Sequence, residues 1–222
     1  MKQKPLSQEG LKLIACLTML IDHVGALFFP HNLWFRVIGR LAFPIYCFLL
    51  AEGAHYTRNP VKYGLRLFVG LLLSEIPFDL AFFGRLTLAH QSVMFTLLLA
   101  FILAVVIKKL PLTGKLLAVI PFYFVAEFLN TDYGGLGIIM AAVFLIGREL
   151  PEPMVIQTSG LLLVNFSYFS TSFIQPFATA AMIPISLYSG QKTTKSKLLQ
   201  WAFYLFYPVH LLVLWLLHLV AV

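Results

Sequence analysis

An all-α, polytopic bundle of transmembrane helices is the fold class that this chain predicts, and three observations predict it. The 222 residues are 60% hydrophobic and only 11% charged, whereas soluble domains run near 45–50% apolar and about 25% charged. The apolar residues fall in runs of about 20 that do not alternate with polar ones, which suits a helical span and not a barrel strand. The basic residues gather in short connections between those runs, as topogenic charge does. A soluble fold of this length could not enclose so much apolar surface.

The runs lie near 11–29, 36–56, 63–84, 92–107, 115–129, 135–148, 153–168, 172–188 and 199–221. They make about nine candidate spans, with eight to ten as the range, in one integral membrane domain covering 1–222. Breakers separate them: Phe29-Pro30-His31-Asn32, Arg58-Asn59-Pro60, the 130–135 turn, Gly147 with Pro151 and Pro153, and Ser189-Gly190. Lys2 and Lys4 ahead of an apolar stretch resemble a secretory signal. The Leu11–Phe29 run, however, is long, contains Asp22 and His23 and has no small-x-small cleavage site, so it reads as the first span. An inside N-terminus gathers Lys2, Lys4, Arg58, Lys62, Lys108, Lys109, Lys115, Arg148, Lys192, Lys195 and Lys197 on the inner side and leaves Arg36 and Arg85 outside. That bias predicts a cytoplasmic N-terminus in a cell (inner) membrane crossed many times.

The net charge of +7 would suggest nucleic acid in a soluble protein. Here the loop placement of the cations accounts for it, and no nucleic-acid partner is expected. Cys16 and Cys47 sit inside apolar runs without metal-ligand spacing, so they read as packing residues and no metal is expected.

Ionisable residues within the spans carry the functional signal. Of the nine acids, Asp22, Glu52, Glu75, Asp79 and Glu127 fall inside predicted spans, joined by Arg36, Arg40, His23, His55 and His210. Each charge at membrane depth costs at least a few kcal/mol, so such groups face the interior of a bundle, usually in pairs. Arg36 and Arg40 are four apart, as are Glu75 and Asp79, so each pair shares a helix face. Asp22 and His23 are neighbours and point about 100° apart. Asp22 is therefore expected to pair with an arginine such as Arg40, leaving His23 to face a chamber. Arg36 or Arg40 is also the candidate cation between Glu75 and Asp79, whose repulsion needs one. His210 follows Pro208, which removes a backbone hydrogen bond and can redirect the imidazole; it is either a packing residue or part of the chamber. Glu52, His55, Tyr56, Arg58 and Arg66 gather toward the inner surface. Arg58, Lys62 and Arg66 read either as topogenic charge or as a phosphate site at a cytoplasmic mouth. Taken together, the polar residues predict an inner basic and aromatic mouth beneath a charged chamber.

Several segments in order resemble the TraX family. They are Leu11–Ala15 leading to Met19-Leu20-Ile21-Asp22-His23, Arg36-Val37-Ile38-Gly39-Arg40-Leu41-Ala42-Phe43-Pro44-Ile45-Tyr46, Ala51-Glu52-Gly53 and Ser74–Asp79. The Asn130–Gly134 loop and the terminal Tyr204–His210 complete them. The founding member of that family acetylates the N-terminal amine of conjugative pilin, and the family looks like a compact relative of membrane acyltransferases that use cytoplasmic acetyl-CoA. The resemblance implies His23 as the catalytic residue and Arg36 and Arg40 as binding or charge-stabilising groups. It implies acetyl-CoA as donor, with an acceptor (protein N-terminus, glycan or small amine) that the sequence does not identify. The residue chemistry is compatible: neutral imidazole is a base or acyl carrier, and an arginine such as Arg40 stabilises an oxyanion. Coenzyme A phosphates would be sought at Arg58, Lys62 and Arg66. The competing reading is a proton-coupled transporter or lipid-linked carrier translocase, for which the same intramembrane carboxylates would serve. The absence of an internal repeat and an odd span count weigh against a symmetric transporter.

Overall fold

A computed structural model describes residues 4–170, 172–191 and 196–221. Among them the chain is all-helical, with two isolated bridges, Leu6 to Tyr188 and Gln91 to Thr131, as the only β pairings. The helices are α1 (Gln8–Phe28), α2 (Leu33–Gly39), α3 (Ala42–Tyr56), α4 (Pro60–Phe83), α5 (Val93–Ile107) and α6 (Leu112–Phe128). After them come α7 (Gly134–Gly147), α8 (Pro153–Ser167), a 3₁₀ helix (Gln175–Ala181), α9 (Met182–Ser186) and α10 (Lys197–Ala221). Among the described residues three stretches, Gln8–Phe28, Leu33–Tyr56 and Leu198–Ala221, are long and apolar enough to cross a membrane. Large apolar side chains such as Leu72, Ile76, Leu117, Phe124 and Leu163 are exposed, as a lipid-facing surface requires and a water-facing one does not.

Local chemistry explains most boundaries. The Ser7 hydroxyl accepts from the Gly10 amide and starts α1; Asn32 caps α2 through the Trp34 amide. Asn59 accepts from the Lys62 amide, with Pro60 opening α4. Gly84 ends α4 at φ 66°, a left-handed conformation that suits glycine.

Two expectations change. The predicted span at 36–56 is bent: α2 stops at Gly39, and α3 restarts at Ala42. The predicted eighth span, 172–188, is not a continuous helix. Pro176 and Pro184 interrupt it, and it runs as the 3₁₀ segment followed by the short α9. Lys2, Lys192 and Lys195 lie outside the described residues.

Helix α7 sits at the centre, in contact with α3, α5, α6 and α8. Its small residues permit this: a methyl group on Gly137 would collide with Thr96 and Tyr133. α10 packs on α4 and α1, and α2 folds back on α1. A methyl group on Gly39 would overlap the Asp22 carboxylate, and one on Gly25 would overlap Phe35. Glycine at both positions lets the α1–α2 hairpin close, and that closure positions the site.

Candidate functional site: a histidine pair beside an ion-paired chamber

The hairpin brings Asp22 and both arginines together. Arg36 Nη1 donates to Asp22 Oδ2 at 2.5 Å, and Arg40 Nη2 lies 3.6 Å from Asp22 Oδ1. Asp22 thus pairs with both, Arg36 being the closer, and carries one negative charge against two positive ones. Arg40 Nη1 also donates to Gln175 Oε1 at 3.3 Å. Gln175 Nε2 donates to Asn165 Oδ1 at 3.0 Å, and Asn165 Nδ2 to Thr179 Oγ1 at 3.2 Å. Asn165 is fully buried and Gln175 nearly so. The broken segment after α8 therefore has a use: it carries Gln175 inward to hold Arg40. Sequence reasoning missed Gln175 and Asn165, although a polar amide inside an apolar run was the available signal.

His23 and His210, 187 residues apart, meet: His23 Nδ1 lies 2.7 Å from His210 Nε2. Their rings are nearly coplanar at 4°, so each nitrogen lies in the plane of the other ring. His210 Nδ1 donates to the Phe206 carbonyl at 2.7 Å. A carbonyl only accepts, so a neutral His210 carries its proton on Nδ1 and accepts at Nε2. His23 then donates from Nδ1, which leaves its Nε2 lone pair unprotonated. Phe206 stacks on His210 at 4.7 Å, and Phe82 meets His23 edge-on at 5.3 Å.

His23, Asp22, Arg36 and Arg40 line one cavity of about 530 Å³, together with Gln175, Tyr133, His90 and Asp132. His90 comes from the α4–α5 connection and Asp132 from the α6–α7 turn, with His90 Nε2 3.7 Å from Asp132 Oδ1. Backbone bonds from Gln91 to Asn130 and from Asp132 to Gln91 tie the two connections together. The Asp132 carboxylate beside it raises the His90 pKa above its ordinary value, against the opposing effect of burial.

A second cavity, of about 450 Å³, lies toward the α1 N-terminus and is lined by Lys12, Arg66, Gln200, Tyr63, Tyr204 and other tyrosines. The Arg66 guanidinium sits over the Tyr63 ring at 5.5 Å and the Tyr204 ring at 5.8 Å, and Lys12 over Phe203 at 5.2 Å. Of the three inner cations singled out from the sequence, Arg66 lines this cavity. Arg58 and Lys62 are exposed and line neither, and Arg36 belongs to the other chamber.

The remaining acids of the predicted spans have structural partners, and none uses Arg36 or Arg40. Glu75 accepts from the Ser92 hydroxyl at 2.6 Å and from its amide, at the start of α5. Asp79 accepts from the Thr87 amide at 2.8 Å. Backbone donors of the returning loop do what the expected arginine between the two carboxylates would have done. Glu127 accepts from the Gly135 amide at 2.7 Å at the start of α7. Glu52 pairs with Arg148 at 3.1 Å.

The chain matches the family described as TraX protein over residues 7–218. The chain belongs to the TraX family. A relative named probable fimbrial assembly protein FimC, serogroup H1, of Dichelobacter nodosus, is 32% identical over 92% of this chain and 92% of its own length. An uncharacterized protein of Rickettsia prowazekii (strain Madrid E) is 44% identical over 41 residues, 18% of this chain and 16% of its own. No solved structure matches. The segments that resembled TraX in the sequence supply both sides of the site: Met19–His23 and Arg36–Tyr46 give the ion-paired wall, and Tyr204–His210 the histidine partner.

Proposed function

We propose that this TraX-family protein is a multi-pass inner-membrane acyltransferase, with its N-terminus cytoplasmic and about nine membrane passages. It moves an acetyl group from cytoplasmic acetyl-CoA to an amine or hydroxyl acceptor. The observation that carries the reading is the relay from the Phe206 carbonyl through His210 to His23, which leaves Nε2 unprotonated on a histidine that lines a chamber shared with two arginines. The fimbrial-assembly name of the Dichelobacter relative supports an acceptor in pilus or fimbrial assembly, of which a protein N-terminus is the simplest case.

In this mechanism His23 Nε2 takes the proton of the acceptor amine or hydroxyl as that group attacks the thioester carbonyl. The resulting imidazolium is stabilised by its Nδ1–H bond to His210 Nε2. Arg40, held by Gln175 and Asp22, faces the negative charge that develops on the carbonyl oxygen, with Arg36 beside it. Collapse breaks the carbon–sulfur bond, His23 returns the proton to the leaving thiolate, and the products are the acetylated acceptor and free coenzyme A. The donor suits the second cavity, where Lys12 and Arg66 offer charge to phosphates and tyrosine rings offer stacking surface to adenine. Arg58 and Lys62 would act only outside it, on donor approach. The cavity and chamber lie along α1, with Lys12 about 16 Å from His23 at 1.5 Å per residue, so an extended thioester arm reaches between them.

Two measurements test this. Purified protein in nanodiscs with labelled acetyl-CoA transfers label to an acceptor fraction, and His23→Ala abolishes the transfer; undiminished transfer by His23→Ala sinks His23. Coenzyme A binding weakens in Lys12→Ala and Arg66→Ala and is unchanged in Arg58→Ala. The two cavities approach each other from opposite ends of α1, which is also what a transporter requires. Proton-driven uptake into proteoliposomes without coenzyme A binding would favour that second reading.

A further inference from the structure

The two cavities share three lining residues, Met19 of α1, Tyr46 of α3 and Val93 of α5. One layer of side chains therefore separates them. Along α1, Lys12, Cys16, Met19 and His23 follow one another at spacings of four, three and four, so they lie on a single helix face. Lys12 lines the lower cavity, Met19 both, and His23 the upper; Cys16 touches the partition through its thiol, 3.2 Å from the Tyr46 hydroxyl.

The three partition residues differ in how firmly they are held. Val93 opens α5 directly after Ser92, whose hydroxyl and amide are both bonded to Glu75, so its backbone is pinned. Met19 is nearly buried in the core, and its unbranched thioether adapts to its neighbours. Tyr46 is an aromatic plate whose polar end is tethered by one thiol, a weak hydrogen-bonding partner. Its neighbours on the chain, Ile45 and Cys47, are fully buried. The α3 backbone is therefore fixed, while the Tyr46 side chain, half-buried and the largest of the three, is held at its tip by that weak partner.

We propose that Tyr46 is a movable plug between two water-accessible cavities that open toward opposite faces of the membrane. Its ring closes the passage, and rotation away from Cys16 joins the cavities beside His23. The seal is a property of the fold alone. Its use, admitting the thioester arm to His23 without leaving a pore through the membrane, rests on the acyl-transfer reading above. A single apolar constriction is enough to block polar solutes by excluding water, as hydrophobic gates in channels do.

The test needs no acyl donor. Full-length wild type, Tyr46→Phe and Tyr46→Ala are reconstituted in sealed vesicles containing a pH-sensitive dye, and proton leak is followed under an imposed potential. Wild type and Tyr46→Phe stay tight, because the ring is retained. Tyr46→Ala raises the leak per protein clearly above that of wild type, as expected when a constriction is opened. In the same vesicles a membrane-impermeant thiol reagent, located by mass spectrometry, leaves the buried Cys16 of wild type unmodified and labels it in Tyr46→Ala. If Tyr46→Ala does not melt as a folded protein, Tyr46→Leu, a smaller side chain that no longer fills the place of the ring and has no tether, is read in both assays and is expected to leak and label. A folded Tyr46→Ala or Tyr46→Leu that stays tight with Cys16 unlabelled overturns the plug, as does a Tyr46→Phe that leaks like the alanine variant. Either result leaves the acyl-transfer reading standing. Loss of acetyl transfer as the protein's activity would instead leave the seal standing and remove its purpose.

Discussion

Replacing Gly39 by alanine separates local propensity from tertiary packing, because the two predict opposite signs. By helix propensity alone, alanine near the end of α2 is worth up to about 1 kcal/mol over glycine. The added methyl group, however, would fall on the Asp22 carboxylate, meeting Oδ1, Cβ and Cγ well inside van der Waals contact. Asp22 cannot yield freely, since Arg36 holds it at 2.5 Å and Arg40 stands 3.6 Å away. The hairpin must splay or the ion pair must break. Overpacking typically costs about 1–3 kcal/mol, and disrupting a buried ion pair about 3–5 kcal/mol. Arg36 is 31% exposed, so solvent replaces part of the pairing and the lower part of that range applies. The net expectation is a loss of roughly 2–4 kcal/mol. The assay is reversible unfolding in mixed micelles, with Gly114→Ala as the control. The nearest atoms to a methyl group on Gly114 would be side-chain carbons of Leu110 and Pro111, the closest at 3.3 Å, so that variant should be neutral or slightly stabilising. A Gly39→Ala protein as stable as wild type would refute the close approach of α1 and α2 and the geometry built on it.

Three further outcomes follow from the same site. Gln175→Leu and Asn165→Leu each leave a buried polar group without its partner and should each cost about 1–3 kcal/mol in the same assay. Their double variant should cost less than the sum, because their mutual hydrogen bond is then absent from both sides; strict additivity would break the proposed chain to Arg40. His210→Phe keeps the ring stacking on Phe206 but removes the acceptor for His23 Nδ1, so acetyl transfer should fall about a hundredfold at unchanged affinity for coenzyme A, the lower end for a lost acid–base partner. His210→Gln, whose carbonyl oxygen accepts that bond, should recover part of the activity. The His90–Asp132 pair should make stability depend on pH. Its folded-state pKa lies above the ordinary 6.5, so its stabilising contribution is complete below about 6.5 and is lost as pH rises through the higher folded value. Melting curves of wild type across that window should show this decline, and Asp132→Asn should flatten it.

Much of the site was legible in the sequence because its signals are local. An acid beside a histidine in an apolar run, and two arginines four residues apart, announce an interior polar face at membrane depth, where such residues are costly. The Asp22–arginine pairing follows from that spacing, and the TraX resemblance located the segments around it. The spacing of Glu75 and Asp79 misled for the same reason: it showed a shared face but not the loop amides at Thr87 and Ser92 that fold back to satisfy it. Arg58, Lys62 and Arg66 looked like one cluster because they are near in sequence, yet the start of α4 leaves only Arg66 over the cavity.

Composition, apolar run length and charge placement by themselves determined a membrane-embedded helical protein, most of its helix ends and the presence of an ion-paired wall, since these depend on solvent preference and on contacts within a few residues. Only the tertiary structure decided that His23 has His210 as its partner, that Gln175 is carried inward on a broken helix to hold Arg40, and that two cavities meet at Tyr46. Those features join residues from 30 to 187 positions apart, and no periodic pattern records which distant side chain will fill a given neighbour's hydrogen bond. Packing around the glycines of α1, α2 and α7 makes that choice, because only there do the backbones come close enough for the partners to meet.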